Sequence, residues 1–179
     1  MRATTTTAAL QLRPAGVADV PQILALIREL ADYEKLLHEV DASEADLRRD
    51  LFGDTPRAHC DIALWHGEVA GFALWFYNYS TFRCRAGIYL EDLFVRPAFR
   101  GHGIGKALIA HLAQRCVDQQ LPRLQWSVLD WNAPSIAFYE SLGAMVMKEW
   151  LTCRMSGEAI AAVGGGAGPP PAAGGRGRV

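Results

Sequence analysis

Residues 95–106 read Val-Arg-Pro-Ala-Phe-Arg-Gly-His-Gly-Ile-Gly-Lys, so an apolar, strand-like stretch passes into a helical one through alternating glycines. A helix start exposes backbone N–H groups that lack intrahelical partners, together with the positive end of the helix dipole, and glycine lets backbone approach an anion closely. The chemistry open to Gly101, His102, Gly103, Ile104, Gly105 and Lys106 is the grip of a diphosphate. Two common phosphate loops fail on spacing. A P-loop needs a glycine five residues before Gly105 and Ser or Thr after the lysine, where this chain has Arg100 and Ala107. A dinucleotide G-x-G-x-x-G would need its third glycine at Lys106 or Leu108.

Ionisable residues flank this loop. Residues 88–95 are almost continuously apolar, as in a central strand, yet Glu91 and Asp92 interrupt them on what alternation predicts to be opposite faces. A carboxylate there is costly unless hydrogen-bonded or in use, and partial burial predicts for Glu91 a pKa raised toward that of a working base. The structural alternative, backbone capping or pairing with an arginine, is the plainer reading of Asp92. Tyr139 stands seven residues after Asn132, about two helical turns, on the side of Ile136, and so faces inward. A phenol there can donate a proton, or fill a core position with its hydroxyl satisfied.

The elements that must hold these residues follow from periodicity. Residues 11–13 form a short first strand. Val20, Ile23, Leu24, Ile27, Leu30 and Ala31 recur at three- and four-residue steps and mark one helix face, with Asp19 as its cap and Pro21 in its first turn. Residues 43–52 form a shorter helix capped by Ser43. Residues 59–65 and 69–77 form a hairpin around His66-Gly67-Glu68, and residues 88–95 a fourth strand. A helix then runs from the glycines to about Gln119, followed by a strand over residues 124–129. A further helix runs from Asn132 to Leu142, stopped by Gly143, and a last strand covers residues 145–153. The pattern predicts a mixed α/β fold, a central sheet with helices on both faces.

The chain has 179 residues and a net charge of −1, which excludes an overall field drawing it to nucleic acid. Its four cysteines show no C-x-x-C spacing, and no metal is expected. The longest apolar run is too short to span a membrane, and the start lacks a signal-peptide pattern, so the expected setting is cytoplasmic. Residues 1–9 read as a flexible start, residues 10–163 as one domain, and the Gly/Pro/Ala-rich residues 164–179 as a disordered tail.

Arg100, Gly103 and Gly105 meet the pattern R-x-x-G-x-G, which resembles the acetyl-CoA loop of the GNAT superfamily of N-acetyltransferases. The segments Tyr89-Leu90-Glu91-Asp92-Leu93-Phe94-Val95, Leu129-Asp130-Trp131-Asn132-Ala133-Pro134-Ser135 and Glu29-Leu30-Ala31-Asp32-Tyr33-Glu34 extend the resemblance to the diamine (spermidine/spermine) acetyltransferase family, closest to the branch acting on thialysine. The resemblance implies a mostly antiparallel sheet and transfer of acetyl from acetyl-CoA to a small primary amine. Glu91 and Tyr139 are the implied catalytic pair. The implied coenzyme contacts are Leu93, Phe94, Val95, the loop from Arg100 to Lys106, then Asn132, Ala133, Pro134, Ser135 and Tyr139. The implied amine contacts are Tyr33, Glu34, Glu91, Asp92, Gln125, Trp126 and Ser127, and a homodimer is implied as well. Arg96 and Lys106 are further candidates for neutralising phosphates. Arg83 and Arg85 replace the acidic pattern of polyamine enzymes and suggest a carboxylate-bearing amine. A non-catalytic acyl-CoA-binding module and a protein-lysine acetyltransferase remain alternatives.

Overall fold

In the computed structural model, residues 9–165 are described. They divide into two units, one ending at Asn132 and the other beginning at Ala133. The first unit runs β1 (Leu10–Pro14), α1 (Val20–Tyr33), α2 (Glu44–Phe52), β2 (His59–Trp65), β3 (Glu68–Ser80), β4 (Arg85–Val95), α3 (Ile104–Asp118) and β5 (Leu124–Gln125). The second holds α4 (Ala133–Ser141) and α5 (Glu158–Gly164). The strands lie in the order β1-β2-β3-β4-β5, antiparallel except for the parallel pair β4–β5. No described helix is long and apolar enough to cross a membrane.

Local chemistry accounts for the boundaries. Ser43 caps α2 by accepting from the Asp46 N–H, and Asp46 returns a bond to the Ser43 N–H. Asp19 does not cap α1 with its side chain. Its carboxylate instead accepts from the Gly16 N–H at 2.7 Å and pairs with Arg13. The β2–β3 hairpin turns through His66 and Gly67 alone, both at positive φ, since Trp65 already pairs with Glu68.

The sheet separates two apolar layers. On one face Val20, Ile23 and Leu26 of α1 and Leu47 and Leu51 of α2 pack with Ile62, Phe72 and Phe94. Each fully buried aliphatic side chain of this kind contributes about 1.5–3 kcal/mol of transfer free energy. On the other face Ile104, Leu108 and Leu112 bury α3, which packs on β1 to β4. Here Asp61, 2% exposed, accepts from the Trp75 indole N–H at 2.7 Å, with His111 and Arg115 of α3 at 3.5 and 3.8 Å.

Two expected strands differ from the observed structure. Of residues 124–129, only Leu124 and Gln125 pair with β4. Residues 145–153 form no strand, and Met145, Trp150 and Leu151 are exposed. Apolar composition favours extended backbone, but a strand exists only where a neighbouring ladder accepts it. The short α5 has only weak sequence signals and was not anticipated. The flexible start and the tail fall almost wholly outside the described residues.

Candidate active site

The central irregularity of the sheet is in β4. Leu74 pairs with Asp92 and Trp75 with Leu90, so Glu91 is an extra residue with no partner opposite, a β-bulge. Strict alternation fails at that point, and with it the expectation of opposite faces for Glu91 and Asp92. Asp92 and Phe94 share the face of Leu74 and Phe72, whereas Ile88 and Leu90 share the α3 face with Trp75.

The bulge also divides the burden of burial. Glu91 is exposed, so the burial expected to raise its pKa falls on its neighbour. Desolvation pushes the Asp92 carboxyl up to about 7, reinforced by the charges of Glu91 and Glu34. Glu34, immediately after α1, is itself raised by burial. Three carboxylates thus share one neighbourhood, and one of them titrates near neutrality. Desolvation and two neighbouring acids, rather than an arginine, dominate the surroundings of Asp92.

Beyond the bulge, β4 loses its parallel neighbour. Pairing with β5 stops at Tyr89 and Gln125, which leaves Leu90 to Val95 without a β5 partner along that edge. The chain then enters the glycine loop. Gly101 and Gly103 adopt φ of +82° and +76°, a region that L side chains rarely enter, and nothing lies within 4 Å of the space beside either. Gly103 is the N-cap of the fifteen-residue α3 and offers no side-chain cap, so the first-turn N–H groups of α3 have no acceptor from it. The donor set therefore fits a diphosphate.

The arginines around this loop have partners in the first unit. Arg96 donates to Glu29 at 2.8–3.2 Å, to the Val69 carbonyl and to Gln22, which ties it to α1 and β3. Arg100 donates from Nε to the Val95 carbonyl at 3.0 Å and lies over the rings of Tyr33 and Phe94, at 4.9 and 5.7 Å from their centroids. The His102 ring packs against Trp65 with centroids 4.7 Å apart and tilted by 47°, a brace without a sequence signal because Trp65 lies at a distant hairpin. Lys106 is exposed on the first turn of α3.

The expected amine contacts scatter more widely. Tyr33 donates to Asn132 Oδ1 at 3.4 Å, and Asn132 is buried. Gln125 and Ser127 bond the side chains of Asn78 and Tyr89. Trp126 is half-buried. Arg85 lies six residues along β4 from Glu91, about 20 Å at the usual strand rise, further than a lysine-length chain extends. That length puts Arg85 out of reach of the carboxylate of a lysine-sized amine whose nitrogen sat at Glu91. In the second unit, Tyr139 is half-buried in α4 beside Phe138, with ring centroids 5.2 Å apart, and follows Ala133, Pro134 and Ser135 at the start of that helix.

The first unit thus combines a bulged strand carrying carboxylates, a strand edge that β5 leaves unpaired and a glycine-opened helix start. Residues 23–144 match the model of the acetyltransferase (GNAT) family, and the chain belongs to that family of acyltransferase enzymes. It is 42% identical to the thialysine N-epsilon-acetyltransferase of Bos taurus, over 86% of this chain and 96% of that protein. It is 31% identical to an L-ornithine N5-acetyltransferase of Arabidopsis thaliana, over 86% and 87%. Among solved structures, an integron cassette protein from V. cholerae superposes with a TM-score of 0.75 at 25% identity, covering 88% of this chain and 99% of that one.

Proposed function

We propose that this acetyltransferase moves the acetyl group of acetyl-CoA to a terminal primary amine of a small molecule, an amino acid of the thialysine or ornithine kind or a short diamine. The observation that carries the reading is the pairing of a half-buried carboxyl pushed up to about 7, Asp92, with an exposed one, Glu91, at the bulge just before the edge that β5 leaves unpaired and the glycine loop. The names of the relatives support the amine class. Residues 10–163 are the proposed transferase domain, working as a cytoplasmic homodimer as the resemblance implies.

The coenzyme, when bound, supplies an activated acetyl thioester. The Gly101 to Lys106 amides hold its diphosphate, the edge of Leu93 to Val95 pairs with its amide-bearing arm, and residues 132–135 form the second contact. Bringing a lysine-like ammonium to its neutral form at pH 7 costs about 5 kcal/mol. Glu91 holds that ammonium, and Asp92, directly or through water, takes its proton. The freed nitrogen forms the amide bond as the C–S bond breaks. Tyr139 gives its phenolic proton to the departing sulfur, and the second proton that the nitrogen loses on becoming an amide restores the phenol, directly or through water. The proton accepted by Asp92 then passes to solvent.

The test is a thiol-release assay with acetyl-CoA across thialysine, lysine, ornithine, putrescine and spermidine, compared by kcat/KM. Terminal-amine amino acids or short diamines should rank first, with an ascending limb near pH 7. Tight coenzyme binding without turnover of any amine would overturn the catalytic reading.

A further inference from the structure

The resemblance assigns Tyr33 to the amine chain, but its surroundings point to the coenzyme side. The ring sits at the C-terminal end of α1. The Arg100 guanidinium carbon lies 4.9 Å from its centroid, and the Trp131 ring approaches at 6.4 Å, tilted by 47°. The Tyr33 hydroxyl donates to Asn132 Oδ1. A single side chain therefore touches both the residue that opens the glycine loop and the Trp131-Asn132 segment that precedes α4. Arg100 is in turn tied to the Val95 carbonyl at the end of the open edge.

The loop needs such anchors. Gly101 and Gly103 have empty space beside them, so the amides between Arg100 and Ile104 are held from the two sides, by Arg100 against Tyr33 and Phe94 and by His102 against Trp65. We propose that Tyr33 is a positioning residue for the coenzyme cradle: it fixes Arg100, and through it the loop amides, relative to Asn132, and makes no contact with the amine. The inference rests on the coenzyme reading above. Its physical content is preorganisation, since a loop already fixed in its binding geometry loses less freedom when the anion arrives.

The experiment is calorimetry of coenzyme A binding to wild type, Tyr33→Leu, Tyr33→Phe, Arg100→Leu and the Tyr33→Leu/Arg100→Leu double variant, with hydrogen exchange on residues 100–106 of the free proteins. Tyr33→Leu should weaken coenzyme binding about fivefold, and Tyr33→Phe, which keeps the ring under the cation, about twofold. The double variant should be little worse than the worse single variant, the loop amides should exchange faster in Tyr33→Leu, and the amine KM should stay within about twofold of wild type. An unchanged coenzyme Kd with a raised amine KM would overturn the proposal and return Tyr33 to the amine site. Fully additive losses in the double variant would also overturn it. Wild-type protein that binds no coenzyme A would overturn the proposed function along with it, whereas binding unaffected by Tyr33→Leu would sink the Tyr33 role alone.

Discussion

Asp92→Asn should stabilise the protein in alkaline solution and change little in acid. The folded carboxyl titrates at about 7 against an ordinary 3.8, so between those values the native state holds a proton that the unfolded chain has released. Native protein then binds more protons than unfolded, and stability falls as pH rises from about 4 to about 7, with the loss complete above that range. About three pH units at 1.36 kcal/mol each give about 4 kcal/mol as an upper bound on what ionised Asp92 costs the fold at pH 8.5. Asparagine keeps the shape, carries no charge and relieves Glu34 and Glu91 of a neighbouring anion. For a chain of this size, 1 kcal/mol corresponds to roughly 2–4 °C, so the variant should melt up to about 16 °C higher at pH 8.5 and within about 2 °C of wild type at pH 4.5. Urea titrations at both pH values give the same comparison in free energy, with the slope checking that the unfolded state is unchanged. Equal stability differences at pH 4.5 and 8.5 would refute the claim that Asp92 carries a costly charge. The same substitution should abolish the ascending limb of kcat/KM near pH 7, which separates the acid–base role from mere packing.

Three further outcomes follow from the geometry. Tyr139→Phe should lower kcat about a hundredfold, with coenzyme A affinity by calorimetry within twofold of wild type. Gly103→Ala meets no neighbour but forces an L side chain to φ +76°, so it should cost about 1–2 kcal/mol in urea unfolding and weaken coenzyme binding as the loop relaxes. Trp75→Phe removes the indole donor from the buried Asp61 carboxylate and should destabilise by about 1–3 kcal/mol in the same assay, with amine KM unaffected.

What the sequence made legible and what it hid divide along one physical line. Apolar patterning located α1, α2, α3 and the three long strands, because each helix buries one face and the strands, covered on both sides, bury two. The glycine loop was legible as a turn into a helix because glycine at Gly101 and Gly103 answers a positive-φ requirement that no other residue meets cheaply. The bulge was not legible: an extra residue in β4 leaves the composition of residues 88–95 unchanged, yet it exposes Glu91 and leaves Asp92 as the desolvated carboxyl. Partnerships between distant segments were equally hidden. Arg96 looked free until Glu29, on another element, took it, and Trp65 gave no sign that it would meet His102 across the fold. Strand propensity over residues 145–153 misled because pairing is a property of the neighbour as much as of the segment.

With Arg96 spent on Glu29 and Arg100 laid over two rings, the loop presents mainly dipoles built into the backbone rather than mobile cations. Electrolyte weakens a grip made of solvated charges, because the Debye length shrinks from about 8 Å at 0.15 M to about 3 Å at 1 M. Short contacts from fixed peptide groups lie inside that length. Were a diphosphate held there as proposed, the hold would persist across a broad range of ionic strength, with Lys106 tuning the rate of arrival more than its strength.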